Sequence, residues 1–448
     1  MKKTGITILL CTAMFWVAAQ DRLAGYIRQG LDNNQVLKQK TLSIDQAMLM
    51  QKNAKSLSLP SASLLADYTS AQGGRSINVP AGDLMNPVYS YLNQLSSSHK
   101  FPSVGNLNEQ LLPNNFYDVR VHITYPVLNS DIHYDQKISS QEVVRQQYEA
   151  DAYRQQLIKD IKQAYYRYCA ASNAVRIYEN ALDLVVLNVK QNQSLLDNGR
   201  GLPANLLRSQ SEREDIEARI IEGENQRINA RNYLNLLTRR PMTDTVLEDE
   251  LRLPDSLAVL AAATPDIGKK SELKSIDEGI AIAETMVKKD KSYAIPKLSA
   301  YLDGGSQESN FKFNSGSRYY LVGAQLSVPI FAGGRNRNTI RMAQLNLESQ
   351  QLQKDLLSNE LLTAAKAAQN NLVSALSTWH ADEKRLESAK AYFKLIDKGF
   401  KEGVNTLIEF IDAREQLTTA SLQLNIAQYT ILSQLAEYEW QTATSKIK

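Results

Sequence analysis

The chain has 448 residues, 43% of them hydrophobic and 22% charged, with 51 basic side chains against 48 acidic. That balance belongs to a folded protein and excludes disordered and collagen-like chains, and it leaves no basic excess on the scale that nucleic-acid binding needs. Four histidines and two cysteines further limit metal and redox chemistry.

Residues 1–19 have the build of a secretory signal: Lys2 and Lys3, an apolar run from Ile6 to Val17, then Val17-Ala18-Ala19 with small residues for cleavage. The run is shorter than the ~20 apolar residues a bilayer span requires. Cys11 follows Leu10, whereas a lipid-modified cysteine wants a small residue there, so it is read as part of the discarded segment. Cys169 is then the only cysteine of an exported chain, and no intrachain disulfide can form. Beyond the signal there is no run of 18 apolar residues, so a membrane role has to use strands.

The rest is a duplication. Asn34–Pro60 aligns with Lys270–Pro296 at an offset of 236, pairing Leu37-Lys38 with Leu273-Lys274. Tyr117–Leu128 aligns with Tyr320–Phe331 at an offset of 203, and Gly199 matches Gly403 at 204. The fall in offset places about 33 extra residues between Pro60 and Pro126. The expected units are the signal (1–19), a first repeat (20–253) with a long loop at 70–115, and a second repeat (254–448).

Each repeat has the order helix, strand, connection, strand, very long helix, glycine break, helix. Between Asp131 and Asn198 neither proline nor glycine occurs, and Leu157, Ile161, Ala164, Tyr168, Ala171, Val175, Tyr178, Leu182, Val185 and Val189 step by four and three. This is a coiled-coil seam of mean period 3.5. The second repeat has Leu361, Ala365, Ala368, Leu372, Ala375 and Trp379, then Leu386, Ala389, Phe393, Ile396 and Phe400, with Asp382 at the missing step. Helices of ~65 residues extend about 100 Å. The return helices start after Gly201-Leu202-Pro203 and Gly403-Val404-Asn405-Thr406, which predicts two antiparallel hairpins with tips at 199–203 and 399–406.

The strands alternate strictly. Tyr117, Val119, Val121, Ile123 and Tyr125 interleave with Asp118, Arg120, His122 and Thr124, and the segments at 61–68, 298–302 and 320–328 behave alike. Their length and terminal tyrosines fit transmembrane β-strands. Open edges cannot sit in lipid, and four strands cannot close when the smallest barrels have about eight. Copies of the chain must therefore share a barrel; two copies or three both satisfy closure, and the small inward candidates Ser61, Ser63, Gly323 and Ser327 favour the wider one.

Asn33-Asn34, Leu59-Pro60, Ile295-Pro296-Lys297-Leu298, Val328-Pro329-Ile330-Phe331-Ala332-Gly333-Gly334-Arg335 and the run Glu402 to Arg414 together resemble the TolC family of outer-membrane efflux and secretion channels, over about Leu31 to Tyr438. The resemblance implies a mainly α fold with membrane β-strands: a homotrimer with a 12-stranded β-barrel in the outer membrane of a Gram-negative bacterium, continuing into a periplasmic tunnel of twelve helices. It implies a passive exit duct, with no cofactor and no turnover, joined to an inner-membrane transporter by a periplasmic adaptor protein. Carboxylates inside the family's second tip line a narrow entrance, and here Glu409 and Asp412 match them. Three copies around one axis attract cations and raise some carboxylate pKa values by repulsion; as plain first-turn acids they would only favour a helix N-terminus. The first tip departs from that pattern, with Asn205 and Arg208 in place of the acids. Gly199, Leu202, Gly403, Val404 and Leu407 match the family's tip positions and are the adaptor-docking candidates, although plain turn and packing roles would account for the same residues.

Other chemistry finds no support. His99, His122, His133 and His380 lack metal-ligand spacing, the glycine pairs lack phosphate-binding spacings, and no nucleophile elbow occurs. Tyr165, Tyr166 and Tyr168 suit packing, and Glu212, Arg213, Glu214 and Asp215 suit a solvated face. The alternative of another class is a periplasmic coiled-coil protein, structural or adhesive, whose strands merely pack on one another.

Overall fold

The computed structural model describes residues 22–97, 99–249, 253, 257 and 264–444. The expected signal at 1–19 and most of the junction between the repeats lie outside them. The elements are α1 (Arg22–Asn33), α2 (Gln35–Ser56), β1 (Ser61–Thr69), β2 (Ser76–Val79), α3 (Ala81–Leu95), β3 (Leu107–Gln110), β4 (Phe116–Leu128), α4 (Ser130–Asp197) and α5 (Pro203–Thr238). The second repeat supplies α6 (Ser271–Lys291), β5 (Lys297–Ser309), β6 (Arg318–Ser327), α7 (Arg335–Lys401) and α8 (Leu407–Gln441).

The chain forms two compact units that cut across the duplication. Among the described residues, one gathers 22–48, 140–284 and 344–444; the other gathers 49–139 and 285–343.

In the first unit the seams are where the heptads put them. Leu157, Ile161, Ala164, Tyr168, Val175 and Val185 of α4 are buried, as are Ala365, Ala368, Leu372, Ala375 and Ala389 of α7. Asp382, the polar step in the second seam, is buried too and is held by Arg385, which also donates to Gln423 of α8 at 2.6 Å. The repeats join through α4 and α8: Asn425 Nδ2 donates to Ala170 O at 2.8 Å, Asn173 Nδ2 to the Tyr429 hydroxyl at 2.7 Å, and Lys162 pairs with Glu439 at 2.6 Å. Buried polar groups with partners of this kind cost little, whereas either partner alone would leave an unsatisfied group worth about 1–3 kcal/mol.

The seam tyrosines have a second use. Tyr165 accepts from Asp249 N at 2.9 Å, Tyr26 accepts from Leu247 N at 3.0 Å, and Tyr168 donates to Val246 O at 3.2 Å. Together they pin the irregular segment 246–249, whose backbone has no sheet partner. Burial pushes the Tyr165 and Tyr168 hydroxyls above the ordinary tyrosine range, so both stay neutral donors and acceptors. Asn34, one of the family-like residues, separates α1 from α2 and caps α2, its Oδ1 accepting from Leu37 N at 2.9 Å.

In the second unit an antiparallel sheet has the order β1-β4-β5-β6. The register shifts between Pro126 and Leu128, where a proline that cannot donate is tolerated beside a bulge. The connection 70–115, expected as a long loop, contains more structure than that: β2 pairs with β3, and α3 lies between them.

Candidate functional site: the sheet faces and the hairpin tips

Residues paired across antiparallel strands share a face. The register therefore sorts the sheet into one face with Leu64, Val121, Leu302 and Val322, and another with Ser63, Arg120, Asp303 and Gln325. In a soluble half-buried sheet the first face would be covered. Here it is open: Leu64 is 72% exposed and Tyr320 82%, with Val121, Tyr125, Val322 and Leu326 also exposed. Each such side chain forgoes roughly 1.5–3 kcal/mol by staying in water. Summed over the face, this rivals the 5–15 kcal/mol of a typical domain's whole stability. A sheet of this pattern calls for an apolar surrounding.

The polar face is internally satisfied. Arg120 donates to Asp118 and lies 3.7 Å from Asp67, and the Tyr319 hydroxyl donates to Asp118 Oδ1 at 2.8 Å. His122 joins Asp303 through Nδ1 and Thr124 through Nε2, the latter at 2.9 Å. Thus the strand histidine is a hydrogen-bonded member of a polar network. Beside it, with ring centroids 6.3 Å apart, Tyr301 lies across Gly323, where an added Cβ would come within 2.4 Å of the ring. At the far end of the sheet the rings of Tyr68, Tyr117, Phe311 and Phe313 form an aromatic cluster with centroids 4.6 to 5.7 Å apart. β1 and β6 each pair on one side only within the chain, which leaves two open edges.

The hairpin tips carry the other candidates. Both long helices end in the same turn. Gly199 and Gly403 adopt φ of +69° and +79°, a left-handed conformation in which glycine avoids the Cβ penalty. Around the first, Arg200 N donates to Leu195 O and Gly199 N to Leu196 O, each at 2.9 Å; around the second, Val404 N donates to Gly399 O at 2.7 Å and Gly403 N to Phe400 O at 3.1 Å. This double bond pattern closes the orphan carbonyls of the helix end.

The return helices begin differently. α5 starts on Pro203 after an extended Leu202 with no side-chain cap. α8 starts with a capping box: Glu409 N donates to Thr406 Oγ1 at 3.3 Å, and Thr406 N donates back to Glu409 Oε2 at 2.7 Å. The Thr406 hydroxyl and Asn405 Nδ2 also donate to that oxygen, at 3.0 and 3.3 Å. Led by the Thr406 amide, these donors hold the Glu409 carboxyl below the usual range. Within one chain, then, Glu409 acts as the first-turn acid, and its pKa moves opposite to the rise expected from a crowded ring. Asp412 is exposed, accepts from Gln416 Nε2 at 2.8 Å, and lines a groove of about 580 Å³ between α7 and α8.

Leu407, expected at the docking surface, is 6% exposed and packs inward with Phe410 and Ile411, so it offers no free surface. The exposed apolar groups of the second tip are Val404 and Ile408, 77% each; those of the first are Leu202 and Leu207. Ile408 and Leu207 are not among the docking candidates the sequence pattern singles out; the one signal available for them is an apolar residue off the seam within the first two turns. Glu212 is likewise no member of a simple solvated face. It pairs with Arg208 at 2.9 Å and with Arg414, which is 3% exposed, at 2.8 Å, so it ties α5 to α8. Among the described residues no His/Cys/Asp/Glu group could hold a metal ion, and no helix is long and apolar enough to cross a membrane.

Comparison with known proteins agrees with this geometry. Residues 279–437 match the model of the outer membrane efflux protein family. The alkaline protease secretion protein AprF of Pseudomonas aeruginosa is 24% identical over 249 residues, 54% of this chain and 52% of AprF. Outer membrane protein TolC of Vibrio cholerae is 22% identical over 288 residues, 62% of this chain and 65% of TolC. The chain thus spans about half to two thirds of the length of these curated relatives. In fold, the crystal structure of the outer membrane protein VceC from Vibrio cholerae superposes with a TM-score of 0.75 at 15% identity, covering 96% of this chain and 98% of VceC. Residues 279–437 thus match the outer membrane efflux protein domain, and the chain as a whole has the fold of TolC-like outer-membrane channels.

Proposed function

We propose that the chain is the outer-membrane duct of a tripartite efflux or secretion system, a passive exit path without catalysis or cofactor. The observation that carries this reading is the inverted sheet, apolar where it is open and hydrogen-bonded where it is polar. A periplasmic coiled-coil protein would cover that apolar face.

The two free edges require partner strands once the sheet is in lipid. Three copies supply twelve strands, with the polar face of Arg120, His122 and Asp303 turned to the bore. The long hairpins of the three copies supply a helical conduit, and three is the number that the resemblance to TolC-family channels implies. A periplasmic adaptor then docks on the tips, where Leu202 and Val404 are exposed beside the two glycine turns, joined by Leu207 and Ile408; the adaptor links the duct to an inner-membrane transporter. Glu409 and Asp412 form the acidic constriction of the second tip. Each carboxylate has one oxygen engaged, Glu409 by the cap and Asp412 by Gln416, and both are exposed.

The purified protein in planar bilayers tests this: stepwise, cation-preferring conductance is expected, with weakened preference in a Glu409→Ala, Asp412→Ala double variant. Unchanged cation preference would remove the constriction from the reading, and absence of conductance would remove the duct.

A further inference from the structure

The connection between β1 and β4 holds a cleft that the duct does not use. Its walls are α3 and the segment 101–106, and side-chain amides fasten one to the other. Asn86 Nδ2 donates to Val104 O at 2.9 Å while Val104 N donates to Asn86 Oδ1 at 2.7 Å. Seven residues on, Asn93 Nδ2 donates to Phe101 O at 2.8 Å and Phe101 N donates back at 3.1 Å. Seven helical residues rise about 10.5 Å and three extended ones about 10 Å, so the two clamps stay in step. Asp83 and Asn106 close the near end with a third reciprocal pair. The segment therefore straps α3, and the shape of the cleft is set before any ligand arrives.

The cleft encloses about 670 Å³, a size within the roughly 300–1,000 Å³ of small-molecule sites. Amides and hydroxyls line it, among them Asn86, Ser90, Asn93 and Gln94, beside the rings of Tyr89 and Phe101 with centroids 5.6 Å apart. The clamps do not exhaust the asparagines. An amide has two N–H groups and two carbonyl lone pairs, and Asn86 and Asn93 each spend one of either kind on the strap. Ser90 and Gln94 are exposed to whatever enters. Among the described residues, no Asp, Glu, Lys or Arg lines the cleft.

This lining selects a ligand class. An anion would face only His99, and a cation would find no counter-charge. A wholly apolar molecule would cover amides and hydroxyls that it cannot bond. A neutral sugar ring satisfies both parts. Its neighbouring hydroxyls donate and accept side by side, as an amide does, and its C–H face lies against an aromatic ring. We propose that the cleft between α3 and its strap binds neutral carbohydrate, with Tyr89 and Phe101 as the apolar wall and Asn86, Asn93 and Gln94 as partners of the hydroxyls. The site itself asks nothing of the duct reading, which adds only where the sugar comes from. The chain enters β1 from α2 at Ser61 and leaves it for this connection at Thr69, so the cleft belongs to the sheet end opposite α2. In an outer-membrane barrel with periplasmic helices that end meets the cell exterior, where the cell's own surface polysaccharide and sugars of the medium are the two sources.

Arrays of neutral gluco-, galacto-, manno- and xylo-oligosaccharides beside sulfated and sialylated ones, probed with the detergent-purified full chain, test the proposal. Neutral oligosaccharides are expected to bind. Ser90→Trp, which fills the cleft, and Gln94→Ala, which removes an amide, should each weaken that binding at least tenfold; both positions are exposed, so the fold tolerates them. Leu84→Ala, outside the cleft, should retain it. Competition by polysaccharide released from the producing cells would assign the site to their own coat, and competition by starch or xylan fragments alone would assign it to sugars of the medium. Binding confined to charged glycans, or undiminished in both cleft variants, would overturn the proposal. A chain that conducts in bilayers yet binds no neutral oligosaccharide would overturn it and spare the duct, while one that binds without conducting would overturn the duct and spare the cleft.

Discussion

The two hairpin tips share a turn and differ in how the return helix begins. Each ends its long helix on a left-handed glycine with the same pair of backbone bonds. Beyond the glycine, the second tip is fastened by the Thr406–Glu409 box, inward-facing Leu407, Phe410 and Ile411, and the buried Arg414 pair. The first tip has Pro203 and an uncapped Leu202, and Leu207, the counterpart of Ile411, faces outward. The two tips keep the same reversal of the chain and differ in how the return helix starts: one is fastened by a capping box and a buried ion pair, the other begins uncapped, and both present exposed apolar residues.

The largest effect on this contrast is expected from Arg414→Ala. It strands a Glu212 carboxylate that is mostly buried and retains only Arg208, at a cost of about 3 kcal/mol. Amide exchange in α8 should quicken accordingly, and exchange equal to the parent would show that the pair contributes nothing to the fastening. Next come Gly199→Ala and Gly403→Ala, which force a Cβ into the left-handed region for about 1–2 kcal/mol each. Equal losses of helix-end protection at both tips are expected, and a clear inequality would show that the shared turn is not equally loaded. Thr406→Ala should cost about 1 kcal/mol, read from protection of the first turn of α8. Leu202→Thr should add a few tenths to about 1 kcal/mol at the other tip.

The smallest effect is one of pH. Because the folded Glu409 carboxyl titrates below its unfolded value, its contribution is present above the ordinary glutamate pKa and is lost as pH falls through the folded one. First-turn protection in α8, corrected for intrinsic exchange, should decline on acidification and become flat in Glu409→Gln. The α5 start, which has no acid in its first turn, should show no such decline.

Much of this was legible in the residues. Proline-free heptads specify α4 and α7, strict alternation specifies the four strands, and paired glycines specify the turns, because each of these signals is local and repeated. The 70–115 connection was harder to read. Its prolines suggest a loop, yet Pro87 lies within α3, and the asparagines that hold the strap are common loop residues whose role depends on matching two different rises. Leu407 and Ile408 are adjacent apolar residues, and only the packing of α8 decides that the first turns in and the second turns out. Glu212 belongs to a run of charges, and its partner Arg414 is 202 residues away. Long-range ion pairs of that kind leave no periodic trace.

The claim on which the rest depends is that the open apolar face of the sheet meets lipid. Spin labels at Ala62, Ser63 and Leu64 of β1 and at Ala324, Gln325 and Leu326 of β6, in reconstituted protein, test it most directly. The account predicts a period of two, with high oxygen accessibility at 62, 64, 324 and 326 and access for a water-soluble nickel chelate at 63 and 325. Nickel access at all six positions, with no alternation, would contradict it.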